Sequence, residues 1–354
     1  MQVIFVMGRV SRATGIDFVT VLRMVLITVE LCVLLLAYAL TWRAVAPAHA
    51  LRLVLVMLAL NPVAIVLVCQ HGNFDVFVAL CVLLAIVCAT RFADSADPVD
   101  WLCASACIGL GVFVKTVPLV LTPMLAFGFR RLRWTTRVLG AVLVVAPAAV
   151  GVGVIYVLGP AQVSANVLHY RSYAGWFGIT GLLELAGLPG ASRVYARAFE
   201  AAFLLALAAL AVGAAGKPRA SFEDLILVPL ALLAAVPGLG PGYSPQYVYW
   251  FLALVPIAFG ASRSMWLRRS IWLFLAIAAG TYIVEYAMFQ SHGAFWAKLH
   301  PTPEVVETSL RWSTKAGQTL IRLPLFSAWV ALLAAVTRQI ARSLRRPSRA
   351  AEVL

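Results

Sequence analysis

Apolar runs of membrane-crossing length alternate with short polar connections along almost the whole chain. The pattern predicts about eleven spans, over residues 22–41, 53–69, 76–90, 101–114, 117–129, 138–158, 198–215, 222–238, 247–260, 270–289 and 322–337. Roughly 20 apolar residues in a helix cross a hydrocarbon core about 30 Å thick. Inside the bilayer each backbone N–H and C=O must be bonded within the protein, so the choice is between helices and a closed barrel. The runs lack the two-residue alternation of barrel strands, which leaves helices. The fourth and fifth spans are short and flank Lys115-Thr116-Val117-Pro118, as expected of interrupted helices that line a cavity. The predicted fold is all-α: one polytopic bundle of about eleven transmembrane helices.

Composition agrees. Of the 354 residues, 63% are hydrophobic and 12% charged, about half the charge of a soluble globule. The net charge of +14 does not point to nucleic acid, because the basic residues cluster in short loops beside apolar runs, where the positive-inside bias places them. Taking alternate loops, 17 of the 28 Lys and Arg fall in one set, those around Arg43, Arg91, Arg130–Arg137, Lys217, Arg263–Arg269 and the C-terminus. That denser set is expected to be cytoplasmic. The loops carrying Gln70–Asp75, Lys115, residues 159–197, residues 237–246 and residues 290–321 are then outside, and with them four of the five histidines. The whole chain, 1–354, reads as one integral membrane domain: an external tail over 1–21, a helical bundle over 22–337 and a basic cytoplasmic tail over 338–354. The expected location is the plasma (inner) membrane, with an extracytoplasmic working face. The six cysteines lie in or beside apolar runs without zinc or disulfide spacing and read as small buried hydrophobes.

Four constellations could carry chemistry. Gln70-His71-Gly72-Asn73-Phe74-Asp75 is a compact polar patch between two apolar runs, with Asp75 opening a helix where a carboxylate meets unpaired N–H groups. Lys115, followed by Pro118 and Pro123, is either a partner for a lipid phosphate or a snorkelling anchor. His169-Tyr170-Arg171-Ser172-Tyr173-Ala174-Gly175-Trp176 joins rings able to stack on sugars to a guanidinium able to clamp phosphate. In Pro241-Gly242-Tyr243-Ser244-Pro245-Gln246-Tyr247-Val248-Tyr249-Trp250, Tyr243, Gln246 and Tyr247 offer polar tips, whereas Tyr249 and Trp250 read as aromatic-belt residues. Glu30 and Glu285 lie within spans and read as structurally paired or partly exposed. No Walker loop, dinucleotide fingerprint or His-Glu-x-x-His motif is present.

Gln70-His71-Gly72-Asn73-Phe74-Asp75, Arg91, Lys115-Thr116-Val117-Pro118-Leu119 and Tyr243-Ser244-Pro245-Gln246-Tyr247 together resemble the GT-C superfamily of polytopic glycosyltransferases. The nearest resemblance is to glycosyltransferase family 87, the polyprenol-phosphate-mannose-dependent mannosyltransferases, over about residues 20–290. It implies a GT-C-like bundle that moves a sugar, mannose foremost, from a polyprenyl-phosphate donor to a lipid or glycan acceptor. It also implies direct displacement at the anomeric carbon, with a carboxylate as base and basic groups such as Lys115 and Arg171 holding the leaving phosphate. Family members usually carry an additional first span and a loop bearing the catalytic acid. Neither has a match here and Asp17 is not aligned with that acid, so the chain is expected to be either incomplete at its N-terminus or a degenerate homologue; Asp75 is the catalytic candidate. Substrate contacts are expected from Gln70, His71, Asn73, Lys115, His169, Tyr170, Arg171, Trp176, Tyr243, Gln246 and Tyr247. The implied donor needs no nucleotide, and no cofactor is assigned; a divalent metal is compatible with the chemistry, but the ligand pattern is too thin to assign one. The expected partners are the donor, the acceptor and membrane lipids. The rival readings are a non-catalytic membrane subunit and a lipid or sugar transporter without chemistry.

Overall fold

A computed structural model describes residues 2–66, 68, 74–158, 178–217, 219–242, 245–285 and 315–345. Among these there is no strand. The order is α1 (Gln2–Thr14), α2 (Phe18–Trp42), α3 (Pro47–Val54), α4 (Pro62–Ile65), α5 (Asp75–Ser95), α6 (Pro98–Val114), a 3₁₀ run (Val117–Ala126), α7 (Trp134–Leu158), α8 (Gly178–Leu185), α9 (Pro189–Gly216), α10 (Phe222–Leu239), α11 (Tyr249–Leu252), α12 (Val255–Ala261), α13 (Met265–Glu285) and α14 (Lys315–Arg345). The described helices α2, α5, α7, α9, α10, α13 and α14 contain stretches long and apolar enough to cross a membrane, and four further apolar helices are shorter. The chain therefore forms an all-α bundle of multi-pass membrane type. Its outer faces support this: Leu205 and Val212 on α9 are 71% and 75% exposed, the reverse of a water-soluble surface.

Several element boundaries differ from the sequence reading, each for a local reason. The run 53–69 is not one helix. It breaks at Asn61-Pro62, where the Asn61 side chain accepts from the Val63 N–H at 2.9 Å and Pro62 opens α4. The 117–129 segment is 3₁₀ rather than α, because Pro118 and Pro123 supply no N–H to an α ladder. The 247–260 run is divided between α11 and α12, with Pro256 in the first turn of α12. Within the expected tail over 1–21, the first residues form α1, which buries Met7. The 159–197 loop is helical from Gly178, and α14 continues to Arg345 into the expected cytoplasmic tail.

The α5–α6 hairpin frames the molecule. Ala96 ends α5 in a left-handed conformation (φ 58°), and Asp97 caps α6 by accepting from the Val99 N–H at 2.9 Å. α6 then packs so closely on α7 that side chains are excluded at the crossing. A Cβ on Gly109 would lie 2.0 Å from the Leu143 carbonyl oxygen, and one on Gly140 1.9 Å from the Trp101 ring. Such small-residue contacts let helices associate in lipid, where no hydrophobic effect drives them together. Gly109→Ala must push α7 away from α6, because the obstructing atom is backbone. We expect a loss of about 1–3 kcal/mol, read as a lowered melting temperature of the purified protein in detergent; an unchanged melting temperature would show that the two helices are not in this contact.

The core centres on Phe251, Phe274 and Trp329, from α11, α13 and α14: the Trp329 ring meets both phenylalanines edge to face at 5.1 and 5.6 Å, and the two phenylalanine rings lie tilted to each other at 5.5 Å. The Trp329 indole donates to the Ala234 carbonyl of α10 at 2.9 Å.

Polar groups gather at the two ends of this core. At one end Asp94 accepts from Arg43 (2.7 Å) and Arg219 (3.0 Å), and Arg91 pairs with Asp100 (3.1 Å). Asp224 takes Lys217 at 3.2 Å and the Ser343 hydroxyl at 2.7 Å. These bonds draw together the ends of α2, α5, α6, α9, α10 and α14, so the loops grouped by charge at Arg43, Arg91 and Lys217–Arg219 do share one end. They are tied together by ion pairs. The start of α5 lies at the other end, and the step from Asp75 to Asp94 spans about 28 Å of helix, close to the thickness of a hydrocarbon core.

Candidate functional site

Asp75 is the first residue of α5, and Lys115 is the residue on which α6 ends. The helices run antiparallel, so the N-terminal pole of one lies beside the C-terminal pole of the other. Each pole favours the charge it carries: the carboxylate at the start of α5, the ammonium at the end of α6. Lys115 leaves the helix with an extended backbone (φ −158°, ψ 137°) while its N–H still reaches the Gly111 carbonyl at 2.9 Å. A Cβ on Gly111 would meet Pro118 and Cys81 at 3.0–3.2 Å, so the chain after Lys115 folds back tightly against the hairpin.

The Lys115 ammonium lies 2.7 Å from the Asp75 carboxylate. The Asp75 side chain is 1% exposed and that of Lys115 36%. The acid is thus enclosed, while the base keeps one side open. The ammonium also lies 4.9 Å from the Trp250 ring and 5.5 Å from the Tyr247 ring, within cation–π range. Those rings stack on each other at 4.3 Å with 24° between planes. Positions 247 and 250 share a face because they are one helical turn apart.

Tyr249 points elsewhere. Its hydroxyl donates to the Glu30 carboxylate of α2, which lies about 18 Å along α2 from Trp42. Tyr249 and Trp250 are buried at 1% and 4% exposure, which corrects their reading as aromatic-belt residues: the proline-interrupted turn carries both into the bundle. Glu30 is paired as expected of a structural group, with a partner 219 positions away. Trp250 was not among the expected site residues. Its indole N–H is buried and has no hydrogen-bond partner among the described residues, a costly condition for a polar group.

Of the expected site residues, the structure brings together Asp75, Lys115 and Tyr247. Gln70, His71, Asn73, His169, Tyr170, Arg171, Trp176 and Tyr243 lie outside the described residues, as do the side chains of Gln246 and Glu285. The proposed meeting of Lys115 with Arg171 therefore lies outside them too. Arg91 belongs to the opposite end of the bundle, paired with Asp100. Among the described residues no three His, Cys, Asp or Glu side chains form a metal-binding group, and Asp75 already faces an ammonium. Cys32, Cys81, Cys88, Cys103 and Cys107 are free thiols.

Chemically, the site offers an enclosed carboxylate, an ammonium with one side open to an anion, and stacked rings beside the ammonium. No protein-family model, characterised protein or solved structure matches the chain.

Proposed function

We propose that this protein is a GT-C-type membrane glycosyltransferase that moves a sugar, mannose foremost, from a polyprenyl-phosphate donor to a lipid or glycan acceptor. The observation that carries this reading is the pair of Asp75 and Lys115 against the Tyr247–Trp250 stack at one end of the bundle. In the proposed topology the four short apolar helices also traverse or enter the bilayer, giving about eleven crossings. The end rich in arginine faces the cytoplasm and the Asp75 end faces out.

The donor phosphate binds the exposed side of Lys115, and the sugar ring lies by the aromatic stack. The acceptor hydroxyl attacks the anomeric carbon, forming the new glycosidic C–O bond. The bond from that carbon to the phosphate oxygen breaks, and its electron pair leaves with polyprenyl phosphate. Asp75 takes the hydroxyl proton, while Lys115 steadies the charge on the departing phosphate. The phosphate competes with the carboxylate for the ammonium, so donor binding itself loosens the Asp75–Lys115 pair.

The closeness of that pair also favours a second reading, in which it only fastens α5 to α6 in a non-catalytic subunit. The test is transfer by the purified full chain from radiolabelled polyprenyl-phosphate mannose, with the glucose-bearing donor in parallel, to a lipid extract. Labelled product dependent on the protein is expected. A folded protein that turns over neither donor would favour the fastening role.

A further inference from the structure

A second site lies far from Asp75. The 3₁₀ run, α7 and α9 enclose a groove of about 500 Å³. Its walls are apolar and mostly small, with Leu125, Ala126, Ala141, Val145 and Ala211 among them. Thr122 also lines it, but its hydroxyl is spent on the Leu119 carbonyl at 3.0 Å. The groove is open along one side, on helices whose outer faces are apolar.

Its mouth is charged. Arg137 stands at the rim with its guanidinium 4.5 Å from the Phe129 ring, and its Nε is buried without a hydrogen-bond partner among the described residues. Arg130, Arg131 and Arg133 precede it on the same connection, are exposed, and form no ion pair among the described residues. Arg131 lines a small cavity together with Arg219, which places this connection at the end holding Arg43 and Asp94. Other basic groups at that end, Arg43, Arg91, Lys217 and Arg219, face carboxylates; the four arginines from 130 to 137 do not.

The depth of the groove also fits. From Arg137 to Val145 the wall follows about 12 Å of α7, against about 15 Å for one hydrocarbon leaflet. A guanidinium at the rim of an apolar slot one leaflet deep, with further arginines on the preceding connection, has the form of a lipid site, with the phosphate at Arg137 and a chain along the slot.

We propose that this groove selectively binds an anionic two-chain phospholipid of the surrounding bilayer, with Arg137 at its phosphate. A guanidinium with an unbonded N–H is complementary to phosphate oxygens, and the unpaired arginines beside it supply the preference over zwitterionic lipid. This assignment does not depend on the glycosyltransferase reading.

The test is native mass spectrometry of the delipidated full-length protein titrated with phosphatidylglycerol or phosphatidylcholine, at two ionic strengths. Wild-type protein should retain one phosphatidylglycerol at least tenfold more tightly than phosphatidylcholine, less so at high salt. Arg137→Gln should reduce the preference to below threefold. Ala141→Trp fills the slot and keeps all the arginines; it should lower retention of phosphatidylglycerol at least fivefold, and it keeps the proposal testable should Arg137→Gln fail to fold. Equal retention of the two lipids by the wild type, or an undiminished preference in Arg137→Gln, would overturn the proposal. So would a dimer that Ala141→Trp dissociates, since a second copy of the chain would then occupy the groove.

Discussion

Asp75→Asn is expected to reduce sugar transfer by about 10²–10⁴-fold while leaving the bundle folded. The substitution keeps the shape of the side chain and an oxygen able to accept from the Lys115 ammonium, which now sits 2.7 Å from the carboxylate. What it removes is the ability to take a proton. The lost rate should therefore appear in kcat rather than in donor affinity. The Lys115 charge should behave differently: in the proposed mechanism it serves an anion present both before and during transfer, so Lys115→Ala should weaken donor use by about tenfold to a hundredfold, the range for a charge-assisted hydrogen bond of about 1.5–3 kcal/mol. Rates measured over a series of donor concentrations separate the two effects. Transfer by Asp75→Asn at the wild-type rate would remove Asp75 from the chemistry and leave it as a fastener between α5 and α6.

The elements that sequence patterning located well are those whose signal is local. α5 begins at Asp75 because an acid at a helix N-terminus is favoured by the backbone itself. Lys115 stands out because a cation inside an apolar stretch needs a partner. The break at Asn61-Pro62 was written in the sequence as a cap followed by proline, yet the length of the apolar run outweighed it. Tyr249 and Trp250 were misplaced for a different reason. An aromatic pair at the end of an apolar run has the same sequence whether it faces headgroups or turns inward, and only the partners decide. Those partners are remote: Glu30 for Tyr249, and Lys115, from α6, for Trp250. The ion pairs of the arginine-rich end were likewise unreadable, since Asp94 meets Arg43 and Arg219 across 51 and 125 positions.

The unequal burial of the central pair leads to an expectation about stability rather than turnover. Lys115→Met should destabilise the protein more than Asp75→Asn does. Removing the ammonium leaves a carboxylate that is 1% exposed without its nearest counter-charge. Stranding one partner of a buried ion pair costs about 3–5 kcal/mol. The helix N-terminus offsets up to about 1 kcal/mol of that, so a loss nearer the lower bound is expected. Removing the carboxylate charge strands a lysine instead, but that side chain is 36% exposed and lies over two rings. It can turn its charge to water while its methylenes stay packed, as long basic side chains do, so the loss should stay near 1 kcal/mol. The double variant Asp75→Asn with Lys115→Met should recover much of the Lys115→Met loss, because no charge is then left in the enclosed position. Thermal unfolding of the four proteins in one detergent closes the cycle. The order wild type, Asp75→Asn, double variant, Lys115→Met is the expected one. Equal losses for the two single variants would mean that the carboxylate is as hydrated as the ammonium, and that the enclosure of Asp75 contributes nothing to holding α5 against α6.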